Sequence, residues 1–395
     1  MLKRFFGLKQ IDVLLVLAAI AVLIVVIDNR IVKKNHKPKR IDITVSLQCE
    51  NIIGKDVLNA LAAEFGEQNP ELRILIAADT EPASADIIFF DDGEFPGLVN
   101  SKTLASLAPY IHTEAQTGQW ALPLVSFMDL FFYNIDILET AHCDRPPKTR
   151  AELLAAARAV AALETAFPLA LALDPSDPLA LRRDIYPWIW QAGGELRTES
   201  GELSRTAVET IAFFGQMHRE GLLAPESFGK TGAQRLEEFA GGKIAMLAAS
   251  SRDIPLLRQI ESNALNGVLN GINFGITAMP ALAPGKNRMG LSGIYAGISS
   301  GCALPDEAWT FLAFIAGKSQ VIAQALGAVP GSFPSAFPGT YIAKDPLYSK
   351  AWDIFEAADI VEYQSADPSQ EETDRIIREG LVMAFQETSG LPAAR

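Results

Sequence analysis

Ile41 to Leu47 reads IDITVSL, apolar and polar residues in alternation, which is the period of a strand with one face more buried than the other. Val57, Leu58, Leu61, Ala62 and Phe65 then recur at helical spacing, and Asn69–Pro70 closes that helix. Two strand-length apolar runs follow, RILIA (Arg73 to Ala77) and DIIFF (Asp86 to Phe90). Strand, helix, strand in this order predicts a parallel α/β unit. Beyond Pro146–Pro147 the helical period dominates. Thr149-Arg-Ala-Glu152 is a capping box, in which each side chain can satisfy the other's backbone donor, and it opens a helix reaching about Leu163. Further helices are expected at about 205–220, stopped by Gly221, and at about 306–316, between Pro305 and Gly317. NFGITAMP (Asn273 to Pro280) is strand-like, and no internal repeat is visible.

The head of the chain has a different pattern. Val13 to Ile27 is an unbroken uncharged run of 15 residues. As a helix it covers about 22 Å, short of a bilayer core of about 30 Å. Extending it to residues 8–29, with Lys9 and Arg30 snorkelling outward, brings it close to spanning. A cleaved signal peptide is the rival reading and a buried core helix a third. The following DNRIVKKNHKPKR has no small-x-small cleavage site, and no cysteine precedes Cys49 to accept a lipid. An uncleaved N-terminal membrane anchor with a basic linker, residues 1–40, is therefore expected.

Charge sharpens this division. Residues 1–40 hold 9 of the 34 Lys and Arg and 2 of the 47 Asp and Glu, leaving 25 basic against 45 acidic groups for the rest. A body that acidic repels phosphate backbones, so nucleic acid is not an expected partner. At 395 residues the chain suits two lobes rather than one core. Three cysteines and four histidines are scattered, so neither a disulfide framework nor a metal site is indicated, and no cofactor is expected.

Catalytic and nucleotide motifs are largely missing. Gly229-Lys230-Thr231 lacks the first glycine of a phosphate loop, which falls on Ala224, and Gly317-Lys318-Ser319 has Leu312 there. There is no GxGxxG or HExxH. Asp91-Asp92-Gly93-Glu94 directly after a strand is the one acidic cluster with functional promise. It reads as a surface turn, as a ligand-contacting loop at the carboxyl end of a parallel strand, or less readily as an acid–base pair. Tyr186, Trp188 and Trp190 in YPWIWQAGGEL, with Trp120, Phe127 and Tyr295, are candidate faces for stacking on sugar rings, and each read singly is core.

Taken in order, these segments resemble the family-1 extracellular solute-binding proteins of ABC importers, the maltose-binding-protein-like group. The resemblance covers about Ile41 to Phe337. It is carried by Trp120-Ala-Leu-Pro123, Tyr133-Asn134 and the Pro-Pro-x-Thr before a helix, then by Gly193-Gly194, FAGGKIAM (Phe239 to Met246), PDEAWTFLAFIAG and Ala328-Val329-Pro330-Gly331. What it implies is a two-lobed periplasmic-binding-protein fold (type II), α/β in class, and the N-terminal pattern sets a single transmembrane helix before it. Lobe 1 would be residues 41–124 plus 274–326 and lobe 2 residues 125–273 plus 327–395. The same resemblance places ligand contacts at Glu50, Asp92, Glu94, Phe127, Asp174, Ser250, Tyr295 and Ser332, to which the aromatic reading adds Trp190. Phe127 stands where sugar-binding relatives can use a carboxylate, and Tyr295 where many have tryptophan.

The function implied is that of a non-catalytic extracytoplasmic receptor for a small polar solute, a carbohydrate, working with ABC permease subunits. The basic residues after the apolar run would by the positive-inside rule hold the body in the cytoplasm; the resemblance implies the opposite side. A membrane-anchored sensor of the same fold is the alternative, and a hydrolase built on the acidic loop a more distant one.

Overall fold

The computed structural model describes residues 40–48, 55–77, 81–111, 119–177, 179–258, 272–282, 287–326, 328–330, 341–362 and 370–386. The expected anchor, residues 8–29, lies outside them. Among the described residues no helix is long and apolar enough to cross a membrane.

The chain enters as β1 (Ile41–Leu47), α1 (Lys55–Gln68), β2 (Leu72–Ala77), β3 (Ile87–Asp91) and α2 (Phe95–Asn100). The long β4 (Leu122–Asn134) leads to α3 (Ile135–Thr140), α4 (Arg150–Ala161), β5 (Phe167–Leu169), α5 (Ala180–Asp184) and α6 (Tyr186–Gln191). Next come α7 (Arg205–Arg219), α8 (Gly232–Ala240), β6 (Ile244–Ser250), β7 (Phe274–Thr277) and the long β8 (Arg288–Ile298). The chain ends with α9 (Pro305–Gly317), α10 (Ser319–Leu326), β9 (Val329–Pro330), α11 (Tyr341–Lys344), α12 (Pro346–Glu356), β10 (Asp359–Glu362) and α13 (Gln370–Gln386).

The opening strand–helix–strand is parallel as expected, β1 lying between β2 and β3. Alternation in β1 buries Ile43, Val45 and Leu47 against Leu58, Leu61 and Phe65 of α1, the residues that set its helical period. The capping site also forms, with a different second half. Thr149 Oγ1 accepts from Glu152 N, while the Glu152 carboxylate accepts from Lys148 N.

Two strands carry the chain between the lobes. Leu122–Met128 of β4 pairs antiparallel with β8, whereas Asp129–Tyr133 pairs with β6 and Phe131–Asn134 with β7. β8 likewise joins β3 through Ile294–Ile298 and β10 through Arg288–Leu291. One lobe packs around Phe65, Phe311 and Ile315, the other around Phe131, Trp188 and Phe214. β7 therefore lies in the second lobe, and the return crossing falls within β8 rather than at residue 274. NFGITAMP has the pattern of a strand, and no local pattern says which sheet a strand joins.

Candidate functional site

A parallel strand ending at a crevice offers its last residues to solvent and ligand. β3 does this with Asp91 and Asp92. Asp92 is 4% exposed, and its carboxylate accepts from Gly293 N at 2.8 Å and from the Tyr295 hydroxyl at 3.1 Å. Both donors belong to β8, so the long strand fixes the acid. Glu94, one turn on, accepts from Asp91 N.

Across from this wall the second lobe presents the loop around Ser176 and Asp177, then Arg182 and Arg183 of α5, the start of α8, and Ser250 to Asp253 after β6. With Phe127 and Asp129 of β4 as floor, the two walls enclose a cavity of about 520 Å³. That is within the size of a small-molecule site.

Charge organises the second wall. Arg182 donates from Nη1 to Asp129 Oδ2 at 2.9 Å, joining α5 to the crossing strand. Arg183 bridges Asp177 and Asp184, each at 2.9 Å, and Arg235 of α8 pairs with Asp184 from the other side. Asp184 is fully buried and Arg235 is 1% exposed. Ion pairs removed from water this far hold only because each partner is matched; one alone would be an uncompensated buried charge.

The carboxylates in and beside the cavity feel the same desolvation. Burial pushes Asp92 up to about 7 against the opposing charge of Arg182. It pushes Asp129 up to about 6, again opposed by Arg182. Glu94 rises to about 8 through burial and the neighbouring Asp91 carboxyl.

Of the residues expected at the site, Asp92, Phe127 and Ser250 line the cavity. Tyr295 stands one hydrogen bond behind, its ring stacked on Phe90 and Phe95 at 5.9 Å from each. Glu94 supports the acidic loop without lining the void. Asp174 is folded back onto Ser176, accepting from its N and Oγ. Trp190 is 3% exposed and is not a cleft wall; it lies under Arg182, whose guanidinium sits 4.6 Å from its ring centre. It is wedged there by the close approach of Gly290, where a Cβ would lie 2.6 Å from the indole. Glu50 and Ser332 lie outside the described residues. Asp129, Arg182, Arg183, Arg235 and Arg252 belong to no motif that marks them as site residues. Asp129 is a lone charge inside the apolar LVSFMDLFFY, and Arg182-Arg183-Asp184 interrupts two apolar runs. Charges so placed have to be matched in the fold.

The sequence model described as bacterial extracellular solute-binding protein matches residues 59–322. No curated protein matches the chain. Among solved structures, the sugar-binding protein MalE of Xanthomonas citri is similar with a TM-score of 0.67 at 17% identity, over 88% of this chain and 95% of that one. An ABC substrate-binding protein of Listeria monocytogenes in complex with cycloalternan gives a TM-score of 0.65 at 14% identity, over 89% and 98%. Maltose-bound MalE3 of T. maritima gives 0.64 at 17%, over 88% and 97%. At these identities the structures share the fold.

Proposed function

The chain belongs to the family of bacterial extracellular solute-binding proteins, non-catalytic receptors that serve ABC importers, and on that premise we propose that its interlobe cleft captures a carbohydrate for import. Membership in a family of receptors sets aside the hydrolase reading of the acidic loop. The observation that carries the proposal is the cavity of about 520 Å³ with the Asp92 carboxylate on one lobe facing arginines on the other. Carboxylates accept hydroxyl protons and arginines donate to ring and hydroxyl oxygens, so a polyhydroxylated solute meets a partner on both sides. Closing the lobes over it excludes water and strengthens each polar contact. Similar structures that carry cycloalternan and maltose support a sugar as the solute.

A thermal-shift panel of monosaccharides, oligosaccharides, polyols and amino acids tests this. One carbohydrate class is expected to raise the melting temperature saturably, without product formation. At about 100 times the dissociation constant, a ligand adds about 2.7 kcal/mol. A response confined to amino acids would displace the carbohydrate reading.

The apolar segment of residues 8–29 supports an uncleaved anchor, with the body on the extracytoplasmic side and permease subunits beside it in the membrane. Protease added to intact spheroplasts should then degrade the body; full protection would place it inside. An anchored receptor also suits a sensor reporting occupancy to a membrane partner, and co-purification with a permease rather than a kinase favours the importer.

A further inference from the structure

The second wall of the cleft has a feature that a neutral sugar does not use. Helix α8 begins on the cavity, with Thr231, Gly232 and Ala233 lining it. Thr231 and Gln234 cap each other's backbone, yet the amides of Gly232 and Ala233 have no acceptor among the described residues. Orphan amides and the helix dipole at such an end favour an anion. The neighbours are cations: a Cβ on Gly232 would lie 2.6 Å from Arg183 Nη1, so the missing side chain lets that guanidinium lie against the helix start. Arg235, 1% exposed and lining the same cavity, has an Nε with no hydrogen-bond partner. Arg252 stands over the Phe127 ring at 5.8 Å and makes no ion pair among the described residues.

Carboxylates outnumber arginines in the lining, with Asp91, Asp92, Asp129, Asp177 and Asp253 against Arg182, Arg183, Arg235 and Arg252. Asp129, Asp177 and Asp184 match Arg182, Arg183 and Arg235, and Asp253, which accepts from Ser250 N, adjoins Arg252. What remains unmatched on the cavity is two amides and the Arg252 guanidinium, the unpartnered Arg235 Nε being sealed behind the wall. The lining also offers poor stacking for a neutral ring. Phe127 is its one aromatic residue among those described, is 2% exposed, and has Arg252 over its face.

We infer that the solute is an acidic sugar, its carboxylate or phosphoryl group seated at the start of α8 between Arg183, Arg235 and Arg252, with its hydroxyls toward Asp92. This rests on the carbohydrate-receptor reading and narrows it. Asp91 and Asp92 on the facing wall repel an anion, which orients the ligand with its acid toward α8.

Isothermal titration of the full chain with glucose, glucuronate and glucose 6-phosphate, and with galactose and galacturonate, tests the inference. At least one acidic compound should bind ten-fold or more tightly than its neutral parent, and which one decides between carboxylate and phosphoryl. Its affinity should fall with added salt, as an exposed charge contact does. Arg252→Gln should weaken that compound ten-fold, and so should Gly232→Ala, whose Cβ crowds the Arg183 guanidinium held between Asp177 and Asp184; circular dichroism checks that both variants fold. Neutral sugars binding as tightly as their acids would overturn the acidic-group inference and leave the carbohydrate receptor standing. If no acidic sugar binds, the inference falls; if the whole carbohydrate panel is silent as well, the receptor reading falls with it.

Discussion

Replacing Asp184 by alanine should cost about 3–5 kcal/mol of stability, the loss typical of breaking a buried ion pair from one side. Asp184 is fully buried and holds two cations, Arg183 from its own helix and Arg235 from α8, while also accepting from Ala172 N. Removing it leaves the Arg235 guanidinium 1% exposed without its paired carboxylate, Asp253 acting on it only through space. Arginine cannot escape by losing its proton. A carboxylate or lysine in the same position would neutralise and limit the damage; this side chain has to be dragged toward water, which pulls α8 off the cavity wall. Urea denaturation midpoints of wild type and variant measure the loss. The double variant Asp184→Ala with Arg235→Met should recover most of it, because the stranded charge is gone. A single-variant loss below about 1 kcal/mol, against the size expected for a buried pair, would mean that water reaches the network.

The second large effect belongs to Arg182→Ala. Arg182 is the cation that holds Asp129 of the crossing strand and faces Asp92 across the floor. Without it both carboxylates are buried with the opposing charge removed, and the expected loss near pH 8 is again about 3–5 kcal/mol. Its dependence on pH follows from the titration. Both acids are raised in the folded chain, to about 6 for Asp129 and about 7 for Asp92, from the ordinary 3.8. A carboxyl raised on folding favours the folded state fully below its unfolded value, and that contribution is lost as pH climbs through the folded one. Removing Arg182 moves both folded values higher still, so the variant's deficit should be greatest at about pH 8 and shrink toward pH 5, where both acids are neutral. Denaturation at the two pH values reads this directly. An equal deficit at both would show that Arg182 stabilises by packing over Trp190, not by its charge.

The first strand–helix–strand was legible because its two periods are local: alternation in IDITVSL and helical spacing from Val57 to Phe65 each reflect one buried face. Helix ends were legible for the same reason, since Thr149, Pro305 and Gly221 act on their own backbone. β4 was not, because LPLVSFMDLFFYN is buried on both faces and changes partner midway. Periodicity vanishes there, and with it any sign that Asp129 begins the second lobe's half of the strand.

The site divided along the same line. Asp92 was accessible to sequence reasoning as an acid at the end of a strand, and Tyr295 through the resemblance. The arginines were hidden, since a basic residue beside an aspartate reads as a solvated turn until burial is known. Trp190 failed as a cleft wall for the converse reason. Its aromatic face suits a sugar, and the ring is instead covered by Arg182 and approached closely by Gly290.

A solute held between the two lobes touches the β3–β8 wall and the α5–α8 wall together. Hydrogen exchange on the full chain, with and without a saturating ligand from the panel, reads both walls in one experiment. Exchange should slow in both at once, around Asp92 and Gly293 on one side and at Gly232 and Ala233 on the other, where orphan amides become bonded. Protection confined to one lobe, or arising away from these four positions while ligand is bound, would contradict it.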